Sequence, residues 1–129
     1  MGQEFTGQVR RDRILLDQIG GRWMLPILGA LCDSKGTARF NEIKRAVPGV
    51  SQKTLTQCLR QLERSGLLER HVDPGPPIKT QYSLTKLGFT LEKPILAVFQ
   101  WTTKYSDAVR AAQKRHDLKI ETAQEKRGQ

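Results

Sequence analysis

The residues of this chain best suited to chemistry are hydrogen-bonding ones crowded into one short stretch: Ser51, Gln52, Lys53, Thr54, Thr56, Gln57 and Arg60. Gln can pair its amide with adenine, Arg and Lys can donate to guanine, and Thr offers a hydroxyl and a methyl group. Reading base edges in a DNA major groove needs such a set, each good bidentate pair supplying about 1–3 kcal/mol of discrimination. Catalysis is a poorer match. His71 and His116 are the only histidines, no Ser-His-Asp or Cys-His arrangement accompanies them, and no glycine-rich phosphate loop is present. Neither an enzyme nor a cofactor is expected. Cys32 and Cys58 lack the spacing of metal ligands and cannot build a disulfide framework, so no metal and reduced thiols are expected.

Helical spacing turns the polar stretch into a surface. Leu55, Cys58, Leu59 and Leu62 recur as one apolar stripe, and at about 100° per residue Gln52, Lys53, Thr56, Gln57 and Arg60 then point the other way. Ser51 is a natural N-cap, and Ser65-Gly66 closes the helix. Simple solvation is the alternative for such a face; what stands on either side of it decides. Upstream, Phe40, Ile43 and Val47 share one face of a helix that stops at Val47-Pro48-Gly49-Val50, a turn rigid at its proline and permissive at its glycine. Downstream, Leu67–Val72 reads as a strand, Asp73–Pro77 as a turn, and Ile78–Leu84 as a second strand. Helix, tight turn, helix and hairpin is the order of a helix-turn-helix followed by a wing. Arg70, His71 and Lys79 flank the proline-rich loop, where a cation could reach the negative potential of a minor groove. Lys79 is the first choice there; His71 is equally well read as an ordinary exposed strand residue.

The flanking elements must hold this motif. Residues 1–11 show no periodicity and read as a mobile arm. Ile14, Leu15, Leu16 and Ile19 form a short helix ended by Gly20-Gly21. Trp23, Met24, Ile27, Leu28 and Leu31 form a second, with Pro26 in its first turn and Asp33–Gly36 as its stop. Thr37–Arg39 is long enough only for an edge strand. Thr85 caps a last long helix carrying Leu87, Leu91, Ile95, Val98, Phe99, Trp101, Thr102 and Tyr105, which Pro94 bends or restarts. Beyond Asp107 the sequence turns alanine-rich and charged, a frayed helical extension or disorder. The expected fold is mainly α with a small β-hairpin, in one domain over 12–106 with an extension over 107–129.

Charge and composition bound the partners. The 129 residues carry 22 Lys+Arg against 13 Asp+Glu, a net charge of +9 that favours a polyanion such as nucleic acid or an anionic membrane. No run approaches the ~18 apolar residues of a membrane span, and Met1–Gly7 lacks the apolar block of a secretion signal, so a cytoplasmic protein with no membrane partner is expected. At 37% hydrophobic residues the core is lean for a domain standing alone, and a dimer would supply further burial.

Across roughly Ile14–Tyr105 the chain resembles the HxlR-type winged-helix regulators. The marks are Gly20-Gly21-Arg22-Trp23, Arg39-Phe40-Asn41-Glu42-Ile43, Pro48-Gly49-Val50-Ser51, Leu55, Leu59 to Leu62-Glu63, Gly66-Leu67 and Tyr82-Ser83-Leu84-Thr85-Lys86-Leu87-Gly88. The resemblance implies a homodimer paired through the first and last helices, a roughly palindromic double-stranded DNA operator, and control of transcription, with repression the expected sign. Ile14, Leu15, Leu91, Ile95, Val98, Phe99, Thr102 and Tyr105 are the expected interface residues. Phe99, Trp101 and Tyr105 are also more aromatic surface than a small domain leaves bare, although packing within one chain would cover them too. Trp23, Phe99 and Trp101 are candidates to line a small-molecule effector pocket. Several members of that family sense oxidants through an N-terminal cysteine, and Arg10 occupies its place here. The other reading of the whole chain is a winged-helix protein-interaction or architectural module with no specific operator.

Overall fold

A computed structural model describes residues 12–128. The expected arm over 1–11, Arg10 included, lies outside the described residues. The chain divides into two units, Met1–Ile95 and Leu96–Gln129.

In the first unit α1 (Arg13–Ile19) and α2 (Met24–Asp33) are followed by β1 (Thr37–Arg39), α3 (Phe40–Ala46), α4 (Gln52–Arg64), β2 (Leu68–Asp73), β3 (Lys79–Leu84) and α5 (Lys86–Phe89). Pro26 occupies the first turn of α2, where its missing N–H has no intrahelical partner to lose. The three strands form one antiparallel sheet in the order β1-β3-β2. β3 pairs Ser83, Tyr82 and Gln81 with Thr37, Ala38 and Arg39 on one side, and Leu84 to Lys79 with Leu68 to Asp73 on the other. The three-residue strand is thus an edge, and the hairpin β2-β3 projects beyond it as the wing.

The core is the meeting of apolar stripes. Ile27, Leu28 and Leu31 of α2, Ile43 of α3, Leu55, Leu59 and Leu62 of α4, and Ala38, Leu68, Tyr82 and Leu84 of the sheet are buried together. Two closures tie the sheet to the helices: Leu84 N–H donates to the Gly36 carbonyl at 2.7 Å and Thr85 N–H to the Leu67 carbonyl at 3.2 Å. Thr85 caps α5 as expected, its Oγ1 accepting from Gly88 N–H at 3.0 Å and donating to the Gly66 carbonyl at 2.6 Å. Gly88 is required there, since a Cβ would collide with the Leu67 carbonyl.

The helix expected to run on from Thr85 is broken instead. α5 ends at Phe89, tightened by three-residue hydrogen bonds from Thr90 N–H to the Leu87 carbonyl and from Leu91 N–H to the Gly88 carbonyl, both 3.1 Å. Helix α6 (Glu92–Arg127) then begins. Pro94 is the reason: in one continuous helix its ring would collide with the carbonyl four residues back, that of Thr90, whereas in the first turn of a new helix it costs nothing. Ile95, expected at a dimer interface, is 3% exposed and belongs to the protomer core; Leu91 is half-buried against the same core. Both sit where α6 is still part of the first unit, which is why they serve the core. The second unit is the rest of α6, helical to Arg127, so the charged 107–129 segment continues the helix. No helix among the described residues is long and apolar enough to cross a membrane.

Candidate nucleic-acid interface

The turn between α3 and α4 presents the candidate reading helix. Val50 N–H donates to the Val47 carbonyl at 3.3 Å, with Pro48 and Gly49 between them and Gly49 at φ +88°. Proline first and a positive-φ glycine second are the demands of a type II turn. A side chain at 49 would be strained. Trp23 buttresses the turn, its Cη2 lying 3.6 Å from where a Gly49 Cβ would stand, and Arg22 lies 5.0 Å over the same indole ring.

Helix α4 starts where the sequence predicts. Ser51 is extended (φ −76°, ψ 157°) and its Oγ accepts from Thr54 N–H at 3.1 Å, satisfying one of the amides that a helix start leaves open. The same hydroxyl donates to Thr54 Oγ1 at 2.9 Å. Thr56 donates its hydroxyl to the Gln52 carbonyl at 2.8 Å. The cap and the half-buried threonines therefore spend their hydroxyls locally, while Gln52, Lys53, Gln57 and Arg60 remain exposed. No acidic residue stands in the first turn of α4, so the positive end of the helix dipole and Lys53 act in one direction.

Of the inner stripe, Leu55, Leu59 and Leu62 are buried, but Cys58 is only half-buried. It sits at the edge of the stripe and lines a cavity of about 320 Å³ with Asp17, Arg22, Trp23 and Gln61. Burial pushes the Cys58 thiol above its ordinary pKa of 9.0. Cys32 is raised as well, by burial first and then by the nearby Glu92 and Asp33 carboxylates. Both favour the thiol over the nucleophilic thiolate.

The wing divides the sequence-predicted cations. His71 is exposed with Nε2 3.6 Å from Glu69 Oε2. Lys79 is exposed at the start of β3, opposite Asp73, whose Oδ1 accepts from Gly75 N–H at 3.2 Å. Arg70 turns towards the reading helix, its Nε 4.0 Å from Glu63 Oε1, and ties β2 to α4. Burial raises the Tyr82 pKa, with Arg70 and Arg60 opposing the shift; Arg60 thus lies near the sheet as well as on the outer face of α4. Two cations that sequence reasoning left out, Arg39 and Arg45, line a groove with Lys79. The alternation of β1 signalled Arg39, and the outer face of α3 signalled Arg45.

Among the expected interface residues, Ile14 is 78% exposed, and Leu15, Val98, Phe99, Thr102 and Tyr105 are also open to solvent in the single chain. Trp101 stacks at a tilt on Tyr105, with ring centroids 5.4 Å apart. Of the three candidate effector residues, Trp23 belongs to the first unit and Phe99 and Trp101 to the second.

An exposed polar helix delivered by a tight turn, with a wing beside it, defines a winged helix-turn-helix transcriptional regulator that binds DNA. Residues 18–110 match the HxlR-like helix-turn-helix family, and the chain belongs to that family. The HTH-type transcriptional regulator YdeP of Bacillus subtilis is 44% identical over 105 residues, 79% of this chain and 80% of YdeP. Among solved structures, the transcriptional regulator ytfH from Salmonella typhimurium superposes with a TM-score of 0.73 at 37% identity, covering 79% of this chain and 89% of that one. The redox regulator HypR in its reduced form gives 0.70 at 37% identity, covering 77% and 96%.

Proposed function

We propose that the protein is a cytoplasmic homodimer that reads a roughly palindromic operator, Gln52, Lys53, Thr54, Thr56, Gln57 and Arg60 facing the bases, Ser51 at a phosphate and Lys79 and His71 at the wing. The observation that carries this is the exposure of Gln52, Lys53, Gln57 and Arg60 on a helix whose other face is locked into the core. Repression is the expected sign, because occupying a promoter requires no contact with polymerase. Residues 12–106 carry binding and dimerisation, and 107–129 extend the last helix.

The dimer is supported by apolar side chains left without a partner in one chain. Ile14 and Leu15 on α1, and Val98, Phe99, Thr102 and Tyr105 on α6, are open, and a stable interface needs about 1,000 Å² or more. Leu91 adds its exposed edge; Ile95 is taken by the core. Two protomers would place two α4 helices about 34–36 Å apart, one DNA turn. A small-molecule effector would be held by Trp23, Phe99 and Trp101, and quenching of tryptophan fluorescence by that molecule is its test. HypR is described as a redox regulator, but raised thiol pKa values at Cys32 and Cys58 argue against a thiolate trigger here. The reading assigns the chain no catalytic step.

Selection of duplexes from a random pool, repeated at two salt concentrations, tests the proposal. Enrichment of one palindromic family that survives physiological salt is expected; sequence-blind binding lost with salt would overturn it. Within the selected operator, Arg60→Ala is expected to cost about 1–3 kcal/mol while hardly affecting random duplex. An equal loss on both removes Arg60 as a base reader.

A further inference from the structure

Outside the reading helix lies a groove of about 970 Å³ between β1, the first turns of α3 and the β3 side of the wing, lined by Arg39, Arg45, Lys79, Asn41, Thr80 and Gln81 among others. Strand geometry makes part of this convergence. Arg39 is paired with Gln81, and Lys79 stands two residues from Gln81 on the same strand, so all three side chains leave one face of the sheet. Glu42 and Arg45 stand one turn apart on α3 and line the same groove.

The groove's charge is unbalanced. Glu42 is the only carboxylate among its lining residues, and one of its oxygens accepts from Arg39 N–H at 3.1 Å as the start of α3. Among the described residues none of Arg39, Arg45 and Lys79 forms an ion pair, whereas Arg13, Arg70 and Arg110 each do. Two unpaired guanidinium forks and an ammonium, with the Asn41 and Gln81 amides and the Thr80 hydroxyl, make a donor-rich surface. Arginine forks match the paired oxygens of a phosphate.

We propose that this groove is an anion site for a phosphate-type oxyanion. Two sources share that chemistry: a backbone phosphate of DNA lying alongside the wing, which rests on the DNA-binding reading above, and a free phosphorylated small molecule, which does not. Either occupant would bridge α3 to the wing and so fix the wing's angle relative to the turn before α4.

The experiment uses the full chain, the exposed pair Arg39→Gln/Arg45→Gln, and Arg127→Gln as a control for lost charge. Circular dichroism checks that each variant is folded, and Arg45→Gln alone serves if the pair is not. Binding of pyrophosphate is measured by calorimetry, and binding of operator and random duplex over a salt series. A backbone source predicts that the double variant loses affinity equally on both duplexes and that its salt slope becomes shallower by nearly 2, at about 0.9 per phosphate contact. A free-anion source predicts a tenfold or greater loss of pyrophosphate affinity with the duplex salt slope unchanged. The proposal is overturned if neither quantity moves, or if Arg127→Gln moves them as far. Should the unaltered chain bind no duplex at all, the DNA-binding reading fails, and the pyrophosphate titration alone decides the groove.

Discussion

Helices α4 and α6 are both amphipathic, yet the molecule treats their apolar faces in opposite ways. In the 13 residues of α4, Leu55, Leu59 and Leu62 are all buried. In the 36 residues of α6, Ile95 alone is buried, although Val98, Thr102, Tyr105, Val109 and Ala112 continue at three- and four-residue spacing along one face. The first helix finds its apolar partner in α2, α3 and the sheet, which frees its polar face for a ligand. The second has an apolar face that one chain leaves in water. An apolar stripe at helical period shows that something covers it, and the pattern itself is silent on whether the cover is the same chain or another.

The comparison is broken most directly by removing the locked face. Leu59→Ala is expected to cost about 2–5 kcal/mol of stability by chemical denaturation, as a buried leucine traded for a cavity. The open face predicts a different phenotype. Val98→Asp with Tyr105→Asp is expected to weaken self-association by about 2–4 kcal/mol, read as a shift to monomer in sedimentation, with denaturation of the 12–95 region little changed. A monomeric parent chain would remove the contrast between the helices altogether. Ser51→Ala sharpens the comparison at the start of α4: loss of the Oγ cap on Thr54 N–H is expected to cost about 1 kcal/mol, measured by the denaturation midpoint.

The smallest effect concerns the edge of the locked face. Because burial raises the Cys58 pKa above 9.0, the thiol stays protonated through neutral pH, and its nucleophilic form gains only as pH rises past that value. Alkylation by iodoacetamide, followed by mass spectrometry, should be slow at pH 7 and accelerate above pH 9. Fast labelling at neutral pH would contradict the half-buried placement.

Much of the DNA-reading half was legible in the sequence because its signals are local. Pro48-Gly49 sets a turn that few other dipeptides allow, Ser51 caps a helix within three residues of itself, and the 55-59-62 spacing fixes which side of α4 faces outward. The wing was legible for the same reason, as two strands about a proline-rich loop. Less legible was the groove of Arg39, Arg45 and Lys79, since two of these cations come from elements some forty residues before the third and meet only through the β1-β3 pairing. The break after Phe89 was half legible: Pro94 announced a disturbance, but i to i−4 geometry places the clash at Thr90 and so the end of α5 ahead of the proline. Cys58 and Ile95 show the limit of periodicity. Each lies on a stripe, but only the neighbouring elements decide that the thiol borders a cavity and that the isoleucine joins the core.

By itself the sequence determined the family, the order of elements, the turn and cap before the reading helix, and the excess of positive charge, since backbone sterics, short-range hydrogen bonding and composition fix all of these within a few residues. Only the tertiary structure decided which apolar stripes are satisfied inside one chain and which cations converge without a carboxylate partner. Those outcomes depend on contacts between residues distant in sequence, and a linear pattern records the need for burial or pairing without recording what answers it.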